Sequence, residues 1–267
     1  MKNSYDIVII GGGIVGCSAA YYASKAGQKV LLIEKDSIAS HASGFAYGGI
    51  TPHVGLDEDD PYNQISKYSY ELHKILADEI PNISGIDYGY RTYPNFELSL
   101  NEKDEKKLKS IYEKNLDSKI YEWCSKEDLK YADNRLGPSV TSALVTKLSS
   151  GVEPYKLTFA LGVAAEKNGV KILNSEVKDI KFENDESVII STLNNKEIIS
   201  EKLLVAAGPW RSNFSKWFGF EIPIKPLKGQ ILRLKSDQVI ENGFHWGPNY
   251  VTTKQDGLIW AGTTEED

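Results

Sequence analysis

Gly11, Gly13 and Gly16 have the spacing of a turn that can cradle a diphosphate, and Glu34, eighteen residues past the last of them, can grip sugar hydroxyls. Each glycine has a physical task. Gly11 makes the tight turn, and Gly13 lets the backbone approach a pyrophosphate that any side chain would block. Gly16 lets the following helix pack closely on the preceding strand. The positioning elements are legible on either side. The apolar run Tyr5-Asp6-Ile7-Val8-Ile9-Ile10 enters the turn, and the small-residue stretch from Cys17 to Ala23 leaves it. A second apolar run, Lys29 to Ile33, ends at Glu34. The opening amides and positive dipole end of that helix favour an anion by ~0.3–1 kcal/mol per charge. A lone GxGxxG is a weak signal, but strand, turn, helix, strand and terminal acid in order define a dinucleotide cradle. Spacing does not separate FAD from NAD, because both use this cradle and this acid.

Bulk properties set bounds on the rest. The 267 residues suffice for one large or two ordinary domains. The net charge of −6 argues against a nucleic-acid footprint, which requires a clustered basic surface. No apolar stretch approaches the ~20 residues of a membrane span, and the first strand begins too early for a signal peptide. The two cysteines, Cys17 and Cys124, have neither metal nor disulfide spacing, and Cys17 stands where a small, buried helix residue is needed. His53, His73 and His245 have no partner spacing for a metal, and His73 is expected at the surface or edge of its helix. These features together predict a cytoplasmic location.

The organisation along the chain is discontinuous. Residues 35–50 are small and glycine-rich, unlike a helix or an alternating strand, and suit backbone wrapped around a ligand. Residues 62–80 read as a helix ending before Pro81. Short strands are expected at 86–91 and 96–100, then a charged helical region over 101–131. Pro154 opens a helix to Asn168-Gly169. Strands follow at 170–173, 176–182, 187–192, 197–199, 202–206 and 229–234. The order predicts an α/β fold with a Rossmann-like βαβ domain formed by 1–50 plus 151–220. A second α+β domain of mainly antiparallel sheet is expected from 51–150 plus 221–267.

Five ordered motifs carry a family resemblance: the N-terminal glycine turn; Ser40-His41-Ala42-Ser43-Gly44-Phe45-Ala46-Tyr47-Gly48-Gly49; Gly151-Val152-Glu153-Pro154; Leu204-Val205-Ala206-Ala207-Gly208-Pro209-Trp210; and Pro226-Leu227-Lys228-Gly229-Gln230. The chain resembles the D-amino acid oxidase-type flavoproteins, with glycine oxidase and the D-amino acid dehydrogenases the nearest look. The resemblance implies FAD, held by residues 1–50 plus 151–220. It implies backbone contacts from Ile14 and Val15 to the pyrophosphate, and ribose and adenosine contacts from Glu34 and Lys35. Ala42 and Ser43 match the turn that reaches the phosphates, and Tyr47, Gly48 and Gly49 the stretch under the isoalloxazine ring. Val177 matches the residue whose main chain pairs with adenine, and Gly208 the glycine that lets backbone approach the cofactor. His41, in His41-Ala42-Ser43-Gly44, matches a stretch that carries FAD covalently in dimethylglycine and sarcosine dehydrogenase relatives. A simple loop histidine near the phosphates is the alternative.

The implied reaction is oxidation of a carbon–nitrogen bond in a small amino acid or secondary amine. Hydride passes to flavin N5 and the imine hydrolyses to an oxo acid and ammonia. Tyr250, in Asn249-Tyr250-Val251-Thr252-Thr253, looks like the substrate-pocket tyrosine of the glycine oxidase subgroup, with plain strand packing as the other reading. Members of the family continue past Asp267, and the further segment supplies an arginine that clamps the substrate carboxylate and a last glycine-rich turn. Arg211 and Arg233 sit in other motifs, so the resemblance is to a member lacking its C-terminal segment. Two other functions remain open: an NAD-dependent dehydrogenase on the same cradle, and a non-catalytic FAD-binding fragment.

Overall fold

The strand Asn3–Ile10 lies between two parallel partners, Val30–Glu34 on one side and Glu197–Val205 on the other. β-Branched and leucine side chains fill both faces, so Val8, Ile9, Leu32 and Ile33 are essentially removed from water. Each such side chain contributes roughly 1.5–3 kcal/mol of burial, and burial on both faces is the mark of a central parallel strand. Lys171–Asn174 extends the parallel set beyond Val30–Glu34, while the antiparallel strands Ser187–Thr192 and Val177–Glu183 close the other edge. The helices Ile14–Lys25 and Pro154–Lys167 pack against each other. Small residues line the approach: Gly162 stands over Cys17, where even a Cβ would only reach van der Waals contact, 3.7 Å from the sulfur. Phe214, from the helix Ser212–Phe218, joins Val8, Ile10, Leu31, Ile33 and Ile190 in one apolar cluster.

The structure is a computed structural model and describes residues 3–51, 61–183, 187–194, 196–210 and 212–266. The chain divides into two compact units. The first comprises Met1–Tyr47, Ile75–Tyr88 and Glu153–Pro226, and the second Gly48–Lys74, Gly89–Val152 and Leu227–Asp267. The stretch 75–88, which the sequence assigns to the second domain, thus joins the first: Lys25 pairs with Glu79, and Lys167 donates to the Ile83 carbonyl at 2.7 Å.

The second unit is built on a mainly antiparallel sheet in the order Ile231–Leu234, Ile259–Gly262, Asn249–Thr253, Gly243–Trp246, Asn95–Ser99, Ser142–Thr146, Tyr121–Cys124. Only Gly243–Trp246 and Asn95–Ser99 run parallel within it. Phe96, Leu98, Val145 and Phe244 form its apolar core. A small sheet joins Gly49–Ile50, Ser150–Gly151 and Arg91–Thr92.

Several elements differ from the sequence expectation. The helix expected over 62–80 runs Pro61–Ser84, one turn past Pro81, because the Gly85 N–H bonds to the Pro81 carbonyl at 2.8 Å and the Ser84 hydroxyl to the Ile80 carbonyl at 2.7 Å. The region 101–131 is not uniformly helical. Helices Glu102–Lys114 and Lys126–Ala132 flank the strand Tyr121–Cys124, whose pairing with Ser142–Thr146 outweighs local charge. The expected strands 197–199 and 202–206 are one strand, Glu197–Val205, since a continuous ladder to Asn3–Ile10 spans them. Within 35–50, Ala42–Phe45 forms a single helical turn.

Candidate dinucleotide site

The glycine turn is shaped by contacts no side chain would survive. Gly11 has φ +111°, and a Cβ there would lie 2.4 Å from the Ala206 carbonyl oxygen. A Cβ on Gly16 would lie 1.9 Å from the Gly11 carbonyl oxygen, so the helix meets the turn directly. Gly12, which the spacing rule leaves free, is crowded by side chains rather than backbone, its Cβ position lying 2.5 Å from the end of the Ile38 side chain and 3.0 Å from the Glu34 side chain. Gly13 differs from all three. Only the flexible Ser43 side chain comes within 4 Å of its Cβ position, with the hydroxyl at 2.9 Å, so the space before it is otherwise open.

Glu34 ends its strand with both carboxylate oxygens engaged. One accepts the Gly12 N–H at 2.6 Å and the other the Asp36 N–H at 2.8 Å. Each oxygen keeps a further lone pair for a ligand hydroxyl. The acid thus ties the glycine turn to the second strand as well as facing the groove. The Ser43 hydroxyl accepts the Ile14 N–H at 3.0 Å and caps the helix from the neighbouring loop. Val15 and Gly16 follow it in the first turn, where amides have no intrahelical acceptor. That loop is held by the Ala39 N–H, which donates to the Gly12 carbonyl at 3.0 Å, and by Ala39 itself at φ 61°, a conformation rare outside glycine.

These residues line one groove of about 260 Å³ within the first unit. Its walls include Gly11, Gly13, Ile14, Val15, Glu34, Lys35, His41, Ala42, Ser43, Val177 and Gly208, all of them sequence candidates. Gly16 lies outside the lining and serves packing. Tyr47, Gly48 and Gly49 are likewise outside it; the last two belong to the second unit, where Gly49 pairs with Gly151. Tyr250 is also in the second unit, buried on its strand. His53 and Arg211 lie outside the described residues. His73 is half-buried, and desolvation holds its imidazole below the ordinary value. Cys17 is wholly buried and its thiol is pushed up to about 12 by desolvation and, secondarily, by Glu34, so it is inert at neutral pH.

Sequence reasoning missed the far wall: Ser175, Trp210, Phe214 and Trp217. Trp210 follows a turn at Gly208, φ +56°, and its ring stands 4.4 Å from that of His41 and 5.0 Å from the Lys35 ammonium. The His41 Nε2 is 2.7 Å from an Asp36 carboxylate oxygen. The Ala-Ala-Gly-Pro-Trp motif was the available signal, but it could not say which way the indole points.

Two hydroxyls of the lining, Ser40 Oγ and Ser175 Oγ, are buried without a hydrogen-bond partner among the described residues. Orphaned polar atoms in a groove with an open glycine floor, beside a helix start whose Val15 amide has no intrahelical acceptor, fit a long, polar, phosphate-bearing ligand. Among the described residues no His, Cys, Asp or Glu cluster could hold a metal ion, and no helix is long and apolar enough to cross a membrane.

Comparison with known proteins agrees with this geometry. Residues 6–267 match the DAO family, described as FAD dependent oxidoreductase. The chain belongs to that family: it is a flavin-dependent oxidoreductase, and FAD, not NAD, is its cofactor. It is similar to the glycine oxidase of Bacillus subtilis, with 26% identity over 265 residues, covering 99% of this chain and 70% of the relative. A solved glycine oxidase from Bacillus cereus superposes with a TM-score of 0.90 at 25% identity, covering 98% of this chain and 71% of that one. The glycerol 3-phosphate oxidase of Mycoplasma pneumoniae is 26% identical over 211 residues, covering 76% of this chain and 54% of the relative.

Proposed function

We propose that this chain oxidises the carbon–nitrogen bond of a small amino acid or secondary amine, with the first unit as the FAD-binding domain and the second as the substrate domain. The observation that carries the cofactor half is the groove with Gly13 as its open floor and Glu34 at its rim. Val15, in the lining of the groove, offers its amide to the diphosphate. Glu34 accepts from ribose hydroxyls on its remaining lone pairs, beside Lys35. Ala42 and Ser43 close over the phosphates, Val177 offers main chain to the adenine, and Gly208 keeps backbone close. Ile14 contributes less than its motif implies, because its N–H is already given to Ser43. Tyr47, Gly48 and Gly49 are assigned to the ring end, and Tyr250 to substrate positioning.

FAD supplies, when bound, a two-electron acceptor for the substrate α-carbon hydrogen. The protein contributes position and a dry surface. A bound neutral amine requires no general base, so no residue is assigned that task. The amine reading is supported by the glycine oxidases among the relatives; the glycerol 3-phosphate oxidase supports a second reading, oxidation of a carbon–oxygen bond.

One experiment separates these. The purified protein is titrated with FAD until absorbance near 450 nm is protein-bound, then mixed under nitrogen with glycine, sarcosine, D-alanine or glycerol 3-phosphate. Bleaching by an amine supports the proposal, and bleaching by glycerol 3-phosphate alone replaces it with the second reading. Bound flavin that nothing bleaches makes the chain a cofactor-binding piece. Yellow colour remaining with acid-precipitated protein would assign His41 a covalent bond to the cofactor.

A further inference from the structure

Four side chains at the rim of the groove touch one another in a closed circuit. The Lys35 ammonium stands 5.0 Å from the centre of the Trp210 ring, and that ring stands 4.4 Å from the His41 imidazole. The His41 Nε2 lies 2.7 Å from an Asp36 carboxylate oxygen, which is 3.8 Å from the Lys35 ammonium. The members come from three separate segments. Lys35 and Asp36 follow the strand Val30–Glu34, His41 precedes the single turn Ala42–Phe45, and Trp210 follows the strand Glu197–Val205. Those two strands flank Asn3–Ile10, whose end carries the glycine turn. The circuit therefore joins the two walls of the groove across the mouth of that turn.

The two walls are held differently. On the Glu34 side, the Asn174 amide donates to the carbonyls of Glu34 and Lys35, at 3.3 Å each, and to that of Asp36. With the Asp36 N–H given to the Glu34 carboxylate, the bend that presents Lys35 and Asp36 is pinned. On the other side, Trp210 stands on a turn closed by its own N–H, which donates to the Ala207 carbonyl at 3.2 Å, with Gly208 at φ +56° inside it. Lys35, Asp36 and Trp210 are exposed and His41 is half-buried. Exposed ion pairs and cation–π contacts are each worth at most about a fewfold in an equilibrium constant, so the circuit can open at little cost to the fold. Lys35, His41 and Trp210 line the groove, and Asp36 braces them from outside it.

We infer that Lys35, Asp36, His41 and Trp210 form a clasp that shuts over the adenylate half of FAD and sets how slowly the cofactor leaves. This rests on the groove as the FAD site with Glu34 as its sugar acid, which puts the neighbouring Lys35 at the adenylate half. The pinned bend is the base of the clasp and the Trp210 ring its arm. His41, held through Nε2, is a member of the clasp and not a carrier of covalently bound flavin.

The test follows FAD entering and leaving the full chain by flavin fluorescence, with ADP and FMN binding measured by calorimetry. Trp210→Ala should speed FAD release about tenfold, change the association rate by less than about twofold, and weaken ADP by the same factor as FAD. Trp210→Phe, which keeps a ring for His41 and Lys35, should restore most of the loss. Lys35→Met, which keeps the stem without the charge, should speed release about threefold to fivefold. The double variant should exceed Trp210→Ala by less than about twofold, because both changes break one circuit. FMN, which lacks the adenylate, should respond alike to wild type and Trp210→Ala, and urea unfolding of the apo protein should be unchanged. Release unaltered in Trp210→Ala overturns the clasp. Tighter binding in that variant, the result for a ring that merely blocks the groove, overturns it as well. Multiplying effects in the double variant, or flavin that stays with acid-precipitated wild-type protein, do the same. A wild type that takes up neither FAD nor ADP overturns the groove reading and the clasp with it, whereas binding of both, indifferent to Trp210 and Lys35, overturns the clasp alone.

Discussion

At the residue scale, the glycines of one motif make different demands. The Gly16 position is closed by backbone, at 1.9 Å from the Gly11 carbonyl oxygen, and neither strand nor helix can yield. Gly16→Ala should destabilise the fold by about 1–3 kcal/mol through overpacking, measured by urea unfolding without cofactor. The Gly13 position is crowded only by the rotatable Ser43 hydroxyl. Gly13→Ala should cost apo stability at most the Ser43–Ile14 cap, about 0.5–2 kcal/mol, and weaken FAD binding, read as an increased Kd by flavin fluorescence. An FAD Kd unchanged by Gly13→Ala would contradict this division. Glu34 has two tasks as well. Glu34→Gln replaces one acceptor oxygen by an amide that cannot take the Gly12 or Asp36 N–H. Its remaining carbonyl can keep the part-buried Gly12 N–H while the exposed Asp36 N–H turns to water, so the apo protein should lose about 0.5–1.5 kcal/mol, one net hydrogen bond. An apo stability equal to wild type would show that the carboxylate serves the ligand alone.

At the element scale, legibility followed how local the deciding interactions are. The strand, turn and helix over residues 3–25 were readable because periodicity, glycine spacing and tertiary role agree there. The strand Tyr121–Cys124 was not, because four residues between charged helices carry little pattern; its register with Ser142–Thr146 is a long-range fact. The same holds for the far wall of the groove. Gly208 was legible as a glycine position, and its φ of +56° requires one, whereas the Trp210 and Trp217 side chains reach the groove only through a turn and a helix that the sequence did not announce. The helix Pro61–Ser84 shows the opposite case, where a strong local breaker was overruled. Pro81 has no N–H to give the fourth preceding carbonyl, so that helix carries a defect of its own making. Pro81→Ala should restore the bond and raise the melting temperature. The gain is about 2–4 °C for each kcal/mol recovered, visible by circular dichroism. A lowered melting temperature would show that the proline ring packs favourably enough to outweigh the missing bond.

At the scale of the whole molecule, acid stability should be set by histidines of the second unit. His245 is half-buried, and desolvation lowers its pKa from 6.5 to about 4; His73 is lowered by the same cause. Each remains neutral in the fold and takes up a proton on unfolding. Their contribution is therefore complete above pH 6.5 and is lost as pH falls toward the folded value, by about 3 kcal/mol at most for His245. Glu97, the register partner of His245, acts in the opposite sense. Burial raises its pKa from 4.5, so it favours the fold at low pH and loses that contribution as pH rises through its folded value. Asp133 lies outside this window, because Arg135 holds it below its ordinary 3.8 and its contribution disappears only in stronger acid. Urea unfolding between pH 7 and pH 5 should thus show falling stability. Glu97→Gln should steepen the fall by removing the opposing titration, and His245→Gln should flatten it. A slope indifferent to His245→Gln would mean that its imidazole is solvated in the fold, and the acid sensitivity would then belong to His73 or to the carboxylates.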